Sequence, residues 1–201
     1  MKILVAVPTY ESIQPETFKS IYGLDKCGHN VVFDFQRGYD CATARNHIAK
    51  EAIAEEADYV LMVDNDVILP SDALRNLLET QTDVCLGYYL TRWGNQTDSR
   101  VVMFKDGEFN YATHYNREEL QALRNKGVFR EKVHGGGFGC ALVKTDVFKR
   151  IGFPWFKFTI YEDGSNLGED LNFCERCKEA GIPIFVDTRV SCKHLIRKFM
   201  E

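Results

Sequence analysis

The 201-residue chain lacks any apolar run approaching the roughly 20 residues that a membrane-spanning helix requires, so no span is expected. It also lacks a recognisable leader. Met1-Lys2-Ile3-Leu4-Val5-Ala6-Val7-Pro8 is too short for a signal-peptide core, and a soluble cytoplasmic protein is the expectation. An excess of basic charge is missing as well: the net charge is −4, which argues against broad attraction to nucleic acid or acidic membranes. One local basic patch remains, formed by Lys193, His194, Arg197 and Lys198. A disulfide framework is absent too, because seven cysteines are an odd number without regular spacing, and Cys85 and Cys140 lie inside apolar segments. Cys174-x-x-Cys177 with Cys192 and His194 would serve as a zinc set on paper. Cys174 and Cys177 nevertheless share one helical stretch with Leu171 and Phe173, and core packing accounts for them more simply. No repeat, linker or low-complexity segment divides the chain. A single domain over 1–201 is expected, with a hydrophobic content of 45% and enough length for a real core.

What is present is an alternation of short apolar strands and amphipathic helices. Ile3 to Val7, Val31 to Phe35, Tyr59 to Val63 and Val84 to Leu86 read as strands. Helices are predicted at Thr17 to Asp25, at Thr43 to Glu56 and after Ser71, which is taken as a cap. This order implies an α/β fold, a mostly parallel central sheet flanked by helices. The second half adds a small hairpin, Val101 to Phe104 with Glu108 to Tyr111. Helices follow at Glu118 to Lys126, Thr145 to Ile151 and from Gly168 to Ala180, with a last strand at Pro183 to Val186.

The most informative segment is Asp64-Asn65-Asp66, which leaves the apolar run Tyr59-Val60-Leu61-Met62-Val63. Carboxylates leaving a buried strand cost several kcal/mol unless they are paired or solvated. Side chains two apart in an extended segment point the same way, so Asp64 and Asp66 can converge on one cation near a bound phosphate. The alternative is a pair of solvated turn residues. Ligands of such sheets gather outside the carboxyl ends of the strands, where Thr9-Tyr10-Glu11 also lies. Gly135-Gly136-Gly137-Phe138-Gly139 lacks the Lys-Ser/Thr of a phosphate loop, but it permits close approach of a ligand to backbone; a flexible turn is the alternative.

Together these elements resemble a family-2-type glycosyltransferase with the GT-A fold. The likeness rests on Val7-Pro8-Thr9-Tyr10, Ala44-Arg45-Asn46, Val63-Asp64-Asn65-Asp66, Gly136-Gly137, Gly168-Glu169-Asp170 and His194, in that order. The resemblance implies a nucleotide-binding half over 1–90 and an acceptor and catalytic half over 91–201. It implies Mn²⁺ or Mg²⁺ as cofactor, with Asp66 and His194 as ligands and Asp64 sharing the metal or facing the ribose. Pro8, Thr9, Tyr10, Glu11, Arg45, Asn65, Gly136 and Gly137 are then expected around the donor, a UDP-sugar. Arg45 is expected to meet the diphosphate or an aspartate of the Asp64–Asp66 loop. Asp170, with Glu169 beside it, becomes the general base of an inverting transfer to an acceptor hydroxyl. Saccharide, lipid, protein and modified base all stay open as acceptor. Two rival readings use the same residues: a haloacid-dehalogenase-like phosphatase with Asp64 as nucleophile, and a GT-A-like module that binds nucleotide or glycan without turnover.

Overall fold

Residues of one strand that alternate between two cores define a sheet covered on both faces, and that pattern runs through the centre of this chain. The computed structural model describes residues 1–38, 40–92, 99–107 and 114–195. The first half comprises β1 (Lys2–Thr9), α1 (Pro15–Tyr22), β2 (Asn30–Arg37), α2 (Cys41–Ala54), β3 (Tyr59–Val63), β4 (Val67–Ile68), α3 (Ala73–Glu79) and β5 (Val84–Tyr88). Then come β6 (Leu90–Arg92), β7 (Ser99–Val101), β8 (Met103–Lys105), α4 (Arg117–Asn125), β9 (Arg130–Gly136) and β10 (Cys140–Lys144). The chain continues through α5 (Asp146–Ile151), β11 (Thr159–Ile160), β12 (Asn166–Leu167), α6 (Glu169–Glu179), β13 (Ile184–Ser191) and β14 (Lys193–His194).

Among the described residues, eight strands form the main sheet in the order β2-β1-β3-β10-β5-β13-β9-β8. Leu4, Ala6, Val60, Met62, Ala141 and Val143 face one core, shared with Ile48 of α2, Phe148 of α5 and Phe173 of α6. Their neighbours Ile3, Val5, Leu61, Val63, Cys140 and Leu142 face the other, shared with Ile21 of α1 and Leu74 of α3. The expected α/β architecture is therefore present, but the sheet is mixed and not mostly parallel as expected. Pairings β1–β2, β1–β3 and β5–β13 are parallel. Pairings β3–β10, β5–β10, β9–β13 and β8–β9 are antiparallel. Insertion of β10 between β3 and β5 produces much of this mixture, and it also carries Phe138-Gly139-Cys140 alongside the end of β3.

Element ends differ from the sequence expectation for local reasons. Helix α2 starts two residues earlier than predicted because Asp40 caps it, accepting from the Thr43 amide at 2.7 Å. Ser71 is not the cap of α3. Asp72 holds that position, without a side-chain bond to the helix. Helix α4 begins at Arg117 with a reciprocal cap between Asn116 and Glu119. Glycines at 127 and 181 follow α4 and α6 with φ of +77° and +68°, the left-handed stop the sequence suggested. Of the expected hairpin, residues 108–111 lie outside the described residues. So do Arg197 and Lys198.

Candidate active site

The end of β3 is fixed before its carboxylates are placed. The Asp64 amide donates to the Gly139 carbonyl at 3.2 Å, and the Val67 amide returns to the Asp64 carbonyl at 3.1 Å, which closes a turn. The two aspartates then diverge. Asp64 Oδ1 accepts from Arg45 Nη2 at 2.7 Å, and the same guanidinium donates through Nη1 to Glu169. Arg45 is 3% exposed. Burial works against its charge, but Asp64, Glu169 and Asp170 more than offset that and hold it cationic. Of its two expected partners, an aspartate of the loop is the one the structure supplies.

Asp66 turns the other way. Its Oδ2 lies 3.2 Å from Nε2 of His194, 128 residues later in the chain. The contact is built by backbone: β14 pairs antiparallel with β4, setting His194 opposite Val67, and the Leu195 amide donates to the Asp66 carbonyl at 2.9 Å. The hydrogen bond to Asp66 raises the His194 pKa, with desolvation opposing it. A carboxylate oxygen and an imidazole nitrogen at this separation fit adjacent positions on one small divalent cation, since ligands about 2.1 Å from a metal at right angles lie about 3 Å apart. Among the described residues no third Asp, Glu, His or Cys joins them in a ready-made cluster. Asp64, expected to share the metal or face the ribose, is paired through Oδ1 with Arg45. The zinc alternative fails similarly: Cys174 and Cys177 are buried in one core, and Cys192 belongs to the other.

Glu169 and Asp170 open α6 behind Gly168. Glu169, expected beside the base, is buried and ion-paired with Arg45. Asp170 accepts from the Leu171 amide at 2.8 Å. Desolvation raises its pKa; Arg45 and the helix amides pull downward and do not prevail. Gly168 makes room for it, because a Cβ there would meet Asp170 Oδ1 at 2.9 Å.

The expected donor residues divide into two groups. Pro8, Thr9, Tyr10 and Asn65, with Gly38 and Asp40, line a cleft of about 230 Å³ at the carboxyl end of β1. Tyr10 and Glu11 also border an adjoining space of about 380 Å³ with Arg37. The Asn65 amide is already engaged, donating to the Ser12 carbonyl at 2.8 Å and bracing one loop against the other. Gly136 and Gly137 are buried, and the close approach they permit is used by protein. A Cβ at Gly136 would meet Met103 Sδ at 2.7 Å, and one at Gly137 would meet Tyr89 Oη at 2.5 Å.

Two residues of the site were given no role from sequence. Tyr89 follows β5; its hydroxyl accepts from the Gly139 amide at 3.1 Å, and its ring stands edge-on to His194 at 5.5 Å. Burial, then Asp64 and Asp170, push its pKa well up, so it stays a neutral phenol. The glycine run was its signal, since such a run makes space for something large. Asn46 is the other: its Oδ1 accepts from the Trp155 and Phe156 amides at 3.0 and 3.1 Å, pinning that loop to α2.

No curated protein matches the chain. Among solved structures, A197 from STIV is similar with a TM-score of 0.63 at 18% identity, covering 98% of this chain and 87% of that one. GalNAc-T7, solved with UDP, GalNAc and Mn²⁺, gives 0.64 at 10% identity, covering 98% of this chain. TarS 1-349 of S. aureus gives 0.52 at 19% identity, covering 95%. This chain spans only 44% of the GalNAc-T7 chain and 60% of the TarS chain, and at these identities the likeness establishes the fold. Among the described residues no helix is long and apolar enough to cross a membrane. The sequence model of Glycosyl transferase family 2 matches residues 18–152, about two thirds of the chain, which displaces the phosphatase reading: the chain belongs to glycosyl transferase family 2 and is a glycosyltransferase.

Proposed function

We propose that the chain transfers a sugar from a UDP-sugar to an acceptor hydroxyl with inversion, supported by Mn²⁺ or Mg²⁺ at Asp66 and His194. The observation that carries this reading is the 3.2 Å approach of those two side chains at the carboxyl end of the sheet. A divalent cation bound there supplies positive charge where the leaving diphosphate becomes more negative. GalNAc-T7, of like fold, was solved with UDP and Mn²⁺.

The remaining roles fall to the chain's own groups. Pro8, Thr9, Tyr10 and Glu11 border the cleft that takes the nucleoside, within the half formed by residues 1–90. Asp170, from the second half, accepts the proton of the acceptor hydroxyl while that oxygen bonds to the anomeric carbon. The bond from that carbon to the diphosphate breaks, and the nucleoside diphosphate leaves with the electron pair. General-base help of this kind is worth about 10²- to 10⁴-fold. The raised pKa of Asp170 makes it a stronger proton acceptor than an ordinary aspartate. Arg45 and Glu169 act through position: they fix Asp64 and the start of α6 relative to each other, which sets where Asp170 stands.

The test is a panel of nucleotide-sugars scored for hydrolysis with Mn²⁺, with Mg²⁺ and with EDTA. Turnover of a UDP-sugar that requires metal is expected. Turnover of another nucleotide's sugar, or turnover that EDTA leaves intact, would overturn the donor or the metal respectively.

A further inference from the structure

Between α5 and α6 the chain exposes four large apolar side chains within nine residues: Phe153 at 73%, Phe158 at 52%, Ile160 at 79% and Tyr161 at 48%. Single exposed apolar residues are ordinary, whereas contiguous exposed apolar area marks a contact surface, and four such side chains here share one short segment. The segment is held together by its own hydrogen bonds. Strands β11 and β12 pair antiparallel, and the Tyr161 amide donates to the Ser165 carbonyl at 2.9 Å. Asp163 Oδ1 accepts from the Ser165 amide and hydroxyl at 2.9 and 2.6 Å.

It is also tied to the candidate site from both sides. Asn46, next to Arg45 on α2, holds the backbone of Trp155 and Phe156. Phe156 stacks on Phe173 of α6 at 4.8 Å, and Asn172 donates to Thr159 Oγ1 at 2.8 Å. With Thr159 turned to α6, its neighbours Phe158 and Ile160 point away from that helix. Leu167 ends the hairpin three residues before Asp170, so the hairpin root lies within about 10 Å of the proposed base along the chain.

We infer that this hairpin is the acceptor platform and that its occupant is an uncharged saccharide. The inference rests on the transfer reading for its location, and on the hairpin's own chemistry for its occupant. Ring faces pack against the C–H faces of sugars, and carboxylates accept bonds from sugar hydroxyls. Glu162 and Asp163 at the exposed tip supply those carboxylates. The same two charges, opposed within residues 153–167 only by Lys157, disfavour anionic lipid or nucleic acid.

Saturation-transfer NMR on the full chain tests it, using neutral tetrasaccharides of glucose, galactose, mannose and N-acetylglucosamine as probes. At least one is expected to receive saturation on its ring protons. The doubly substituted Phe158→Ser/Tyr161→Ser chain should bind that probe at least tenfold more weakly, with melting temperature and UDP affinity unchanged. No signal from any tetrasaccharide would overturn the inference. So would equal binding by the variant, or sedimentation of the native chain but not the variant with phosphatidylcholine–phosphatidylglycerol vesicles in place of saccharide binding. Parallel titration with UDP and Mn²⁺ keeps the two readings apart. Saccharide binding without UDP binding would sink the transfer reading and leave the platform, and UDP binding without saccharide binding would do the reverse.

Discussion

Asp64 and Asp66 stand two residues apart on one loop and meet opposite surroundings. Asp64, though its side chain is 29% exposed, is closed by ion pairing, its carboxylate held by a buried guanidinium that also holds Glu169. Asp66 is 38% exposed, and its partner is the imidazole of His194, a group that can release its proton to solvent and offer the freed nitrogen to a metal. On the proposed reading the first side is architecture and the second a binding site. Identical residue types therefore acquire different roles from the partners that distant chain segments deliver: Glu169 at the head of α6, and His194 through the β4–β14 pairing.

The largest expected effect belongs to the group next to the closed side that stays out of its ion pairs. Asp170→Asn should lower transfer by about 10²-fold or more while leaving UDP affinity within twofold, because it removes only a proton acceptor. A rate within threefold of the native chain would make Asp170 structural. Next comes the contrast itself. Arg45→Met leaves two carboxylates without their partner, and breaking a buried pair this way costs about 3–5 kcal/mol. Asp66→Asn touches a solvent-accessible pair and should cost less than about 1 kcal/mol. Urea denaturation measures both, and equal losses would erase the distinction between the two sides.

Smaller effects sharpen the comparison. Gly168→Ala should displace the Asp170 carboxylate, since the added Cβ would lie 2.9 Å from Oδ1. At φ −60° the backbone accepts alanine without strain, so stability should hold while kcat drops about tenfold, the scale on which small misplacements act. Smallest is the pH response. Burial raises the Asp170 pKa, and a base works only when deprotonated. The acid limb of kcat should therefore begin at higher pH than an ordinary aspartate would give, and the residual rate of Asp170→Asn should lack that limb.

Much of the frame was readable because local physics set it. The run Tyr59–Val63 ends in acidic residues that no buried strand can continue, and it forms a strand over that same span. The glycine stops after α4 and α6 depend on one backbone angle each. What escaped reading depends on long-range delivery. Nothing near Arg45 announces that Glu169, 124 residues on, will share its guanidinium. Nothing in Cys140–Lys144 says that this strand will enter antiparallel between β3 and β5, although its apolar character was plain. The glycines at 136 and 137 were visible, but their neighbours Met103 and Tyr89 were not. Strands as short as Thr159–Ile160 and Asn166–Leu167 carry too little periodicity to be read at all.

The most direct test is calorimetric titration of UDP into the native chain and into Asp66→Ala, each with Mn²⁺ and with EDTA. Tight binding that needs both Mn²⁺ and the Asp66 carboxylate is the predicted result. Affinity that survives the substitution with Mn²⁺ present would contradict the central claim, that the exposed side of the loop grips a cation and its diphosphate.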